Sequence, residues 1–215
     1  MPTNARTSLG QRLRAHGIAK LLLTVGLAAW ISVPYFVLQR WVLFPVTRMP
    51  AFALDRGVPF VPAAAWLYLS LYLLVPLPPL LTSEAAMLRR FAAGIVVIGL
   101  TASVAFLLVP TVTERPDVPS GTDPAFRLVR AADTAGNACP SLHAALAVFA
   151  GLAGDRMLRT SPVGWRIALW GWVVAILGAT LATKQHVVLD LVAGAALGFA
   201  VDAGLPGSAF RRPAP

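Results

Sequence analysis

The sequence is poor in charged residues and almost without cysteine. Only 13% of its 215 residues are Asp, Glu, Lys or Arg, whereas 57% are hydrophobic, and this balance excludes an ordinary soluble domain. Cys139 is the single cysteine, so no disulfide can form within the chain. We expect Cys139 to be a small packed residue rather than a nucleophile. The expected solvent of this chain is the lipid bilayer.

Acidic residues are half as frequent as basic ones, nine against eighteen, which gives a formal net charge of +9. Such a charge can indicate nucleic-acid binding, but here the basic residues are spread over every predicted loop and form no patch. Anionic lipid head groups are the simpler partner, and we expect no nucleic acid to bind. The sequence indicates no particular oligomeric state.

What the sequence does contain is a series of long apolar segments, and most of them reach the ~20 residues that cross about 30 Å of hydrocarbon. In lipid, backbone N–H and C=O groups must form hydrogen bonds within the protein, which leaves helices or a closed barrel. A barrel would show short segments in which apolar and polar residues alternate. We therefore predict an all-α, polytopic membrane protein, a single six-helix bundle over residues 1–215. The predicted spans are, approximately, residues 18–39, 59–81, 91–110, 142–158, 167–183 and 186–204.

The distribution of Lys and Arg predicts the orientation of these spans. The basic N-terminal tail suggests a signal peptide, but the apolar run after it is too long and has no clear small-x-small cleavage site, so we expect an uncleaved first helix. Eleven basic residues fall in segments on the side of the N-terminus and seven on the other side. By the positive-inside rule, both termini are predicted to be cytoplasmic, in a multi-pass protein of the cell membrane.

Three further patterns concern the connections and the packing. Residues 41–57 contain Trp and Phe and are expected to lie at the outer membrane interface. Residues 111–138 are the most polar part of the chain, and a loop of that length usually has a function. Gly194 and Gly198 have the four-residue spacing that lets two membrane helices approach closely.

Histidine is also scarce, and two of the three histidines begin predicted spans. His143 opens the fourth span and His186 the sixth, whereas His16 lies in the N-terminal tail and is expected to be solvated. Asp190 is an isolated acid one helical turn after His186. An ionisable group in the bilayer costs about 3 kcal/mol unless it is paired, so His186 is its expected partner. The pair either frees the imidazole Nε2 as a nucleophile or base, or is a purely structural hydrogen bond.

Several features on the outer side together indicate a site for an anion. His143 and His186 stand at helix N-termini, where unpaired N–H groups and the helix dipole favour phosphate. Ser141, in the stretch "CPSLH", either donates its hydroxyl to that anion or caps the helix. Arg115 and Lys184 are expected to add positive charge from the same side of the membrane.

In their order along the chain, these residues resemble the signature of the type 2 phosphatidic acid phosphatase superfamily, which contains lipid phosphate phosphatases and related phosphotransferases. The three motifs of that family are Lys-x6-Arg-Pro, Pro-Ser-Gly-His and Ser-Arg-x5-His-x3-Asp. The chain has Arg115-Pro116, then Pro140-Ser141-Leu142-His143, then His186-x3-Asp190. The resemblance covers residues 108–198 by motif and the whole chain by its six-span plan.

The resemblance implies an enzyme that transfers a phosphoryl group without a metal or other cofactor. His186 would attack the phosphorus of a lipid phosphate and form a phosphohistidine, and Asp190 would orient it. His143 would protonate the leaving alkoxide. Arg115, Ser141 and the backbone N–H groups after Ser141 would hold the phosphoryl oxygens.

The chain also departs from the family pattern. Leu108 stands where the first lysine would fall, Leu142 replaces the glycine, and Ala179-Thr180 replaces Ser-Arg. Lys184 would replace one missing cation, and Thr180 or Thr183 would supply a hydroxyl. The forms "PSLH" and "KQHVVLD" resemble the branch of inositol phosphorylceramide synthase and sphingomyelin synthase-type enzymes, in which a lipid or alcohol accepts the phosphoryl-containing group.

The sequence therefore predicts a membrane lipid phosphatase, acting on a phosphate ester or pyrophosphate at the outer, periplasmic or extracellular, side. Phospho-headgroup transfer to an alcohol or lipid acceptor is the first alternative, and a non-catalytic membrane transporter or scaffold is the second. The chain contains residue types that can bind zinc, but their spacing matches no recognised zinc site, so we expect no metal. The residues that such a zinc site would use are Cys139, His143, His186 and Asp190.

Overall fold

The regular structure of the protein is almost entirely helical. A computed structural model describes residues 9–117 and 122–206. Its elements are α1 (Leu9–Arg14), α2 (Gly17–Arg40), β1 (Thr47–Arg48), α3 (Ala53–Gly57), a 3-10 turn (Pro62–Ala64), α4 (Ala65–Leu69), α5 (Leu71–Leu74), α6 (Leu77–Leu81), α7 (Ala85–Leu108), β2 (Thr111–Val112), α8 (Pro124–Ala132), α9 (Leu142–Met157), α10 (Val163–Ala182) and α11 (Val188–Gly204). The all-α prediction is confirmed.

Three of these helices, α2, α7 and α10, are long and apolar enough to cross a membrane by length and composition. They make the protein a membrane protein. α9 and α11 are shorter, with 16 and 17 residues, which corresponds to about 24–26 Å at 1.5 Å per residue. That these two helices and the second apolar segment also cross the bilayer stays a prediction.

The second predicted span, residues 59–81, is not one helix. It consists of the 3-10 turn followed by α4, α5 and α6. Pro76 lies at the break between α5 and α6, and prolines lack the N–H group that a continuous helix needs. A second break lies at Ser70, between α4 and α5.

Three other predicted spans begin at different residues from those expected. α7 starts at Ala85 rather than residue 91, because the short loop predicted before it is already helical, and α10 starts at Val163 rather than residue 167. α11 starts at Val188, so His186 precedes the helix instead of opening it. The reason is a tight turn in which the carbonyl oxygen of Thr180 accepts hydrogen bonds from the backbone N–H groups of Gln185 and His186.

The centre of the bundle is α9, which packs against α5, α6, α7, α10 and α11. Five of its residues are alanines, and these small side chains let the surrounding helices come close. Phe149 on α9, Ile98 on α7 and Ile176 on α10 are fully buried in the resulting core. In contrast, α2 lies at the edge of the bundle and packs mainly on α7.

The tightest contact joins α9 to α11 and depends on the two glycines. A Cβ atom on Gly194 would overlap the carbonyl oxygen of Ser141, and one on Gly198 would lie 2.6 Å from the carbonyl oxygen of Ala145. The backbone N–H of Ser141 donates to the carbonyl oxygen of Asp190 at 3.0 Å. The predicted packing role of the glycines is confirmed, and the contact fixes the start of α9 against the first turn of α11.

Charged groups are paired at the end of the bundle that lies away from the start of α9. Asp202, near the end of α11, accepts hydrogen bonds from the guanidinium groups of Arg90 and Arg156. Lys20, which is buried, donates to the carbonyl oxygens of Arg12 and Leu80 at 2.6 and 2.8 Å. Because each buried charge has partners, helices α1, α2, α6, α7, α9 and α11 are held together at this end.

The glycine contact leads to a prediction about stability. Replacing Gly194 with Ala would push α11 away from Ser141, and overpacking of this kind costs about 2 kcal/mol. The matched control is Gly171→Ala on α10, where an added Cβ meets no atom within 4 Å. We expect Gly194→Ala to lower the free energy of unfolding in detergent and Gly171→Ala not to lower it. Equal effects of the two changes would contradict this packing.

Candidate active site

The connections after α2 and after α7 hold the two histidine-bearing segments in place. β1 and β2 pair in parallel, so the connection after α2 is joined to the segment after α7. The Asp55 carboxylate on α3 accepts the backbone N–H of Val188 at 2.7 Å, and the Lys184 ammonium donates to the carbonyl oxygens of Asp55 and Val58. α3 is therefore bonded directly to the turn between α10 and α11, where His186 lies.

His186 and Asp190 form the pair that their spacing predicts. His186 Nδ1 lies 3.4 Å from Asp190 Oδ2, and the same oxygen accepts Thr113 Oγ1 and the backbone N–H of Val187, each at 3.1 Å. Asp190 is fully buried. Three groups that can donate hydrogen bonds therefore face this one oxygen, whereas Oδ1 of Asp190 is buried without a partner among the described residues. The contact leaves Nε2 of His186 available.

His143 lies beside His186 and against a tyrosine. The centres of the two imidazole rings are 6.1 Å apart. The His143 ring stacks on Tyr68 with centres 4.0 Å apart, and the Tyr68 hydroxyl is 3.2 Å from Nδ1. Nε2 of His143 is buried and has no hydrogen-bond partner among the described residues. A buried nitrogen without a partner is rare in proteins, so this atom is a candidate for contact with a ligand.

Both histidines line a cavity of about 380 Å³ between α2, α4, α5, α8 and α9. Its wall is mainly apolar and aromatic, with a few polar groups at the histidine end, which is the usual composition of a ligand site. Leu142, at the position where the family has glycine, is part of this wall. The aromatic and ionisable side chains that line the cavity are Tyr35, Phe36, Tyr68, Tyr72, Asp133, His143 and His186.

Arg115 is held next to this cavity by Asp133. Its Nη1 and Nη2 donate to the carbonyl oxygen and to Oδ2 of Asp133 at 2.9 and 3.1 Å. Asp133 Oδ1 accepts the Tyr35 hydroxyl at 2.5 Å and the Gln39 amide at 2.8 Å. The positive charge of Arg115 is thus balanced, but its buried Nε has no partner among the described residues.

Ser141 and Lys184 are directed at the backbone and not at the cavity. Ser141 is fully buried, and its Oγ accepts the N–H of Ala144 at 3.3 Å, so it caps α9. The hydroxyls of Thr180 and Thr183 donate to carbonyl oxygens one turn earlier. The described cavity wall includes none of these four residues.

The structure therefore brings together His143, His186, Asp190 and Leu142, with Arg115 next to them through Asp133. Sequence reasoning missed Tyr35, Asp55, Tyr68 and Asp133. Asp55 and Asp133 lie in the connections between the long helices, and no sequence motif marks either of them. The two tyrosines belong to spans whose facing sides are not visible in the sequence.

Cys139 is half-buried beside the site. Burial raises the pKa of its thiol to about 11, and the negative charge of Asp190 acts in the same direction. The thiol is therefore protonated at neutral pH, which disfavours a nucleophilic role. Among residues 9–117 and 122–206, no group of three or more His, Cys, Asp or Glu side chains is placed to hold a metal ion.

Comparison with known families agrees with this geometry. A family model described as the PAP2 superfamily matches residues 34–203, which include every motif residue discussed above. The chain belongs to the PAP2 superfamily. Members of this superfamily are generally phosphatases or phosphotransferases. No curated protein and no solved structure gave a match, and the resemblance to the inositol phosphorylceramide synthase-like branch stays a prediction.

The Asp133 network leads to a second stability prediction. Tyr35→Phe removes a half-buried hydrogen bond to a charged group, which is worth about 2 kcal/mol. Tyr72→Phe is the matched control, because Tyr72 lines the same cavity but is 66% exposed. We expect only Tyr35→Phe to lower the free energy of unfolding measurably. If the two variants unfold alike, the proposed importance of the network is wrong.

Proposed function

We propose that this member of the PAP2 superfamily is a membrane lipid phosphatase that cleaves a phosphate ester or pyrophosphate through a phosphohistidine. The observation that carries the proposal is the placement of His143 and His186 on one cavity, with ring centres 6.1 Å apart. A phosphorus atom between the rings would have a nucleophile on one side and a proton donor on the other. The reaction needs no metal.

In the first step, Nε2 of neutral His186 attacks the phosphorus. The N–P bond forms as the bond between phosphorus and the lipid oxygen breaks, and the leaving oxygen takes the proton from Nε2 of protonated His143. Asp190 accepts the Nδ1–H of His186, which keeps Nε2 unprotonated and stabilises the positive charge that develops on the ring. For a monoester the products are a lipid alcohol and phosphohistidine; a diester leaves its second ester group on the phosphohistidine, and a pyrophosphate releases a lipid phosphate in place of the alcohol.

In the second step, His143 acts as a base. Its Nε2 removes a proton from water, the water oxygen attacks the phosphorus, and the N–P bond to His186 breaks. Phosphate leaves, and His143 again carries the proton it gave up in the first step. Tyr68 supports both forms of His143, since its hydroxyl donates to neutral Nδ1 and accepts from protonated Nδ1.

We propose that Arg115 stabilises the phosphoryl oxygens through Nε, the donor that has no partner among the described residues. Ser141 would act by fixing the N-terminus of α9, and Lys184 by fixing the turn that carries His186, since their polar atoms are bonded to the backbone. With Asp133 balancing Arg115, the site has little free positive charge. That balance suits a phosphodiester better than a doubly charged monoester.

Transfer to an alcohol or lipid acceptor is the second candidate. It is favoured by Leu142 in the cavity wall, where the phosphatase pattern has glycine, and by a cavity of about 380 Å³ with room for a second group. In that reaction an alcohol oxygen would replace water in the second step. We also propose that the whole chain is one catalytic domain, with the site at the outer face of the cell membrane and both termini inside.

The direct test is an assay of the purified protein with chelator present, against lipid phosphate monoesters, diesters and pyrophosphates, with and without an alcohol acceptor. His186→Ala should reduce turnover to background. His143→Ala should reduce it by about 100-fold or more, the size of a general acid–base contribution. His16→Ala, which alters an exposed histidine outside the site, should leave turnover unchanged.

The products and the variants separate the candidate functions. Release of phosphate from a monoester or pyrophosphate, or of a phosphomonoester from a diester, supports hydrolysis. A new lipid product that appears only with acceptor supports transfer. Folded His186→Ala protein that keeps full turnover would rule out the mechanism. Wild-type protein that turns over no member of the panel would favour a non-catalytic transporter or scaffold.

A further inference from the structure

The active-site cavity continues into a second cavity deeper in the bundle. This second cavity has a volume of about 160 Å³ and lies between α2, α5, α6, α7 and α9. The two cavities share five lining residues, Ile31, Ser32, Leu71, Tyr72 and Leu146. Together they form one groove, which starts at the histidines and is here called the α2 groove.

The broken second segment explains why the α2 groove exists. α2 packs mainly on α7, so its other side is left without a closely packed helix. The polypeptide segment opposite α2 is interrupted between α5 and α6 at Pro76. Pro76 and Pro79 line the lower part of the groove. A continuous straight helix in this place would be able to pack against α2 and close the gap.

The lining and length of the α2 groove fit a hydrocarbon chain. Its lower end is formed by Leu23, Phe91 and Ile95 together with the prolines. From Tyr35, near the histidines, to Leu23 the groove follows twelve residues of α2, which is about 18 Å at 1.5 Å per residue. The apolar wall offers water few hydrogen-bond partners, whereas a hydrocarbon chain in the groove would gain dispersion contacts with it.

We propose that the α2 groove binds one hydrocarbon chain of the lipid substrate, and that its lower end limits the length of chain that fits. This proposal rests on the proposed function, because the phosphate of the same lipid would lie between His143 and His186. The chain would run from the histidine end of the groove, past Ser32 and Leu146, towards Phe91. The length of the hydrocarbon chain would then affect turnover, because each methylene group that fits is buried in the groove.

The test places a large side chain inside the groove. Ala28 lines its lower part, and Ala29, the next residue, lies outside both cavities and is also exposed. Ala28→Trp fills the groove, and Ala29→Trp adds the same side chain about 100° further round the helix, outside the lining of both cavities. Both changes are on an exposed helix surface, so both variants should fold, and Ala28→Leu provides a smaller obstruction.

The measurement is kcat/KM for single-chain esters with octyl and hexadecyl chains, both carrying the phosphate group that the wild-type protein turns over. Ala28→Trp should lower the value for the hexadecyl ester at least about tenfold, because several methylenes lose their burial, and should change the octyl value less than about twofold. Ala28→Leu should lie between wild type and Ala28→Trp. Ala29→Trp should change neither value.

The groove proposal is overturned if Ala28→Trp reduces both esters equally, or if Ala29→Trp reproduces its chain-length effect. A photoreactive hexadecyl phosphate provides a readout that does not depend on turnover. It should crosslink to groove residues in wild-type protein and in His186→Ala, and less in Ala28→Trp. Wild-type protein without any turnover but with this crosslinking pattern would reject the proposed function and keep the groove.

Discussion

The site depends above all on the close contact between α9 and α11. Gly194 lets the backbone of α11 lie directly against Ser141, and the Ser141 N–H bonds to the carbonyl oxygen of Asp190. Because His143 follows Ser141 by two residues and Asp190 holds His186, this one contact sets the distance between the two imidazoles. A side chain at Gly194 would separate the histidines as well as the helices. The small-residue motif therefore has a consequence for chemistry in addition to packing.

Around that contact, the protein gives each charge inside the bundle a specific partner. Asp190 accepts three donors, Asp133 links Arg115 to α2, and Asp202 joins Arg90 to Arg156. Unpaired charges in a membrane protein are costly, so these networks also define which helices must be neighbours. Among the described residues, the buried atoms without a hydrogen-bond partner include Nε2 of His143 at the cavity and Nε of Arg115 beside Asp133, and a bound phosphate would give both a partner.

The sequence was sufficient to predict the helical class, the glycine contact and the His186–Asp190 pair, since each depends on local spacing. It was not sufficient to predict the partner of Arg115, because Asp133 is separated from it by eighteen residues and approaches only after α8 has folded back. Lys184 shows the opposite case. Its position beside His186 suggested a phosphate ligand, yet the turn at residues 183–187 directs its ammonium to α3. Whether a side chain near a motif faces the cavity depends on tertiary contacts that spacing does not encode.

The central claim is that His186 carries the phosphoryl group during turnover. It is tested most directly by mixing the protein with substrate, stopping the reaction rapidly in base, and mapping the phosphate by mass spectrometry. The account predicts a phosphate on His186 that is stable in base and lost in acid, that accumulates when His143 is replaced by Ala and the substrate has a good leaving group, and that is absent from His186→Ala. A phosphate on any other residue, or full turnover with no phosphoenzyme in any variant, would contradict it.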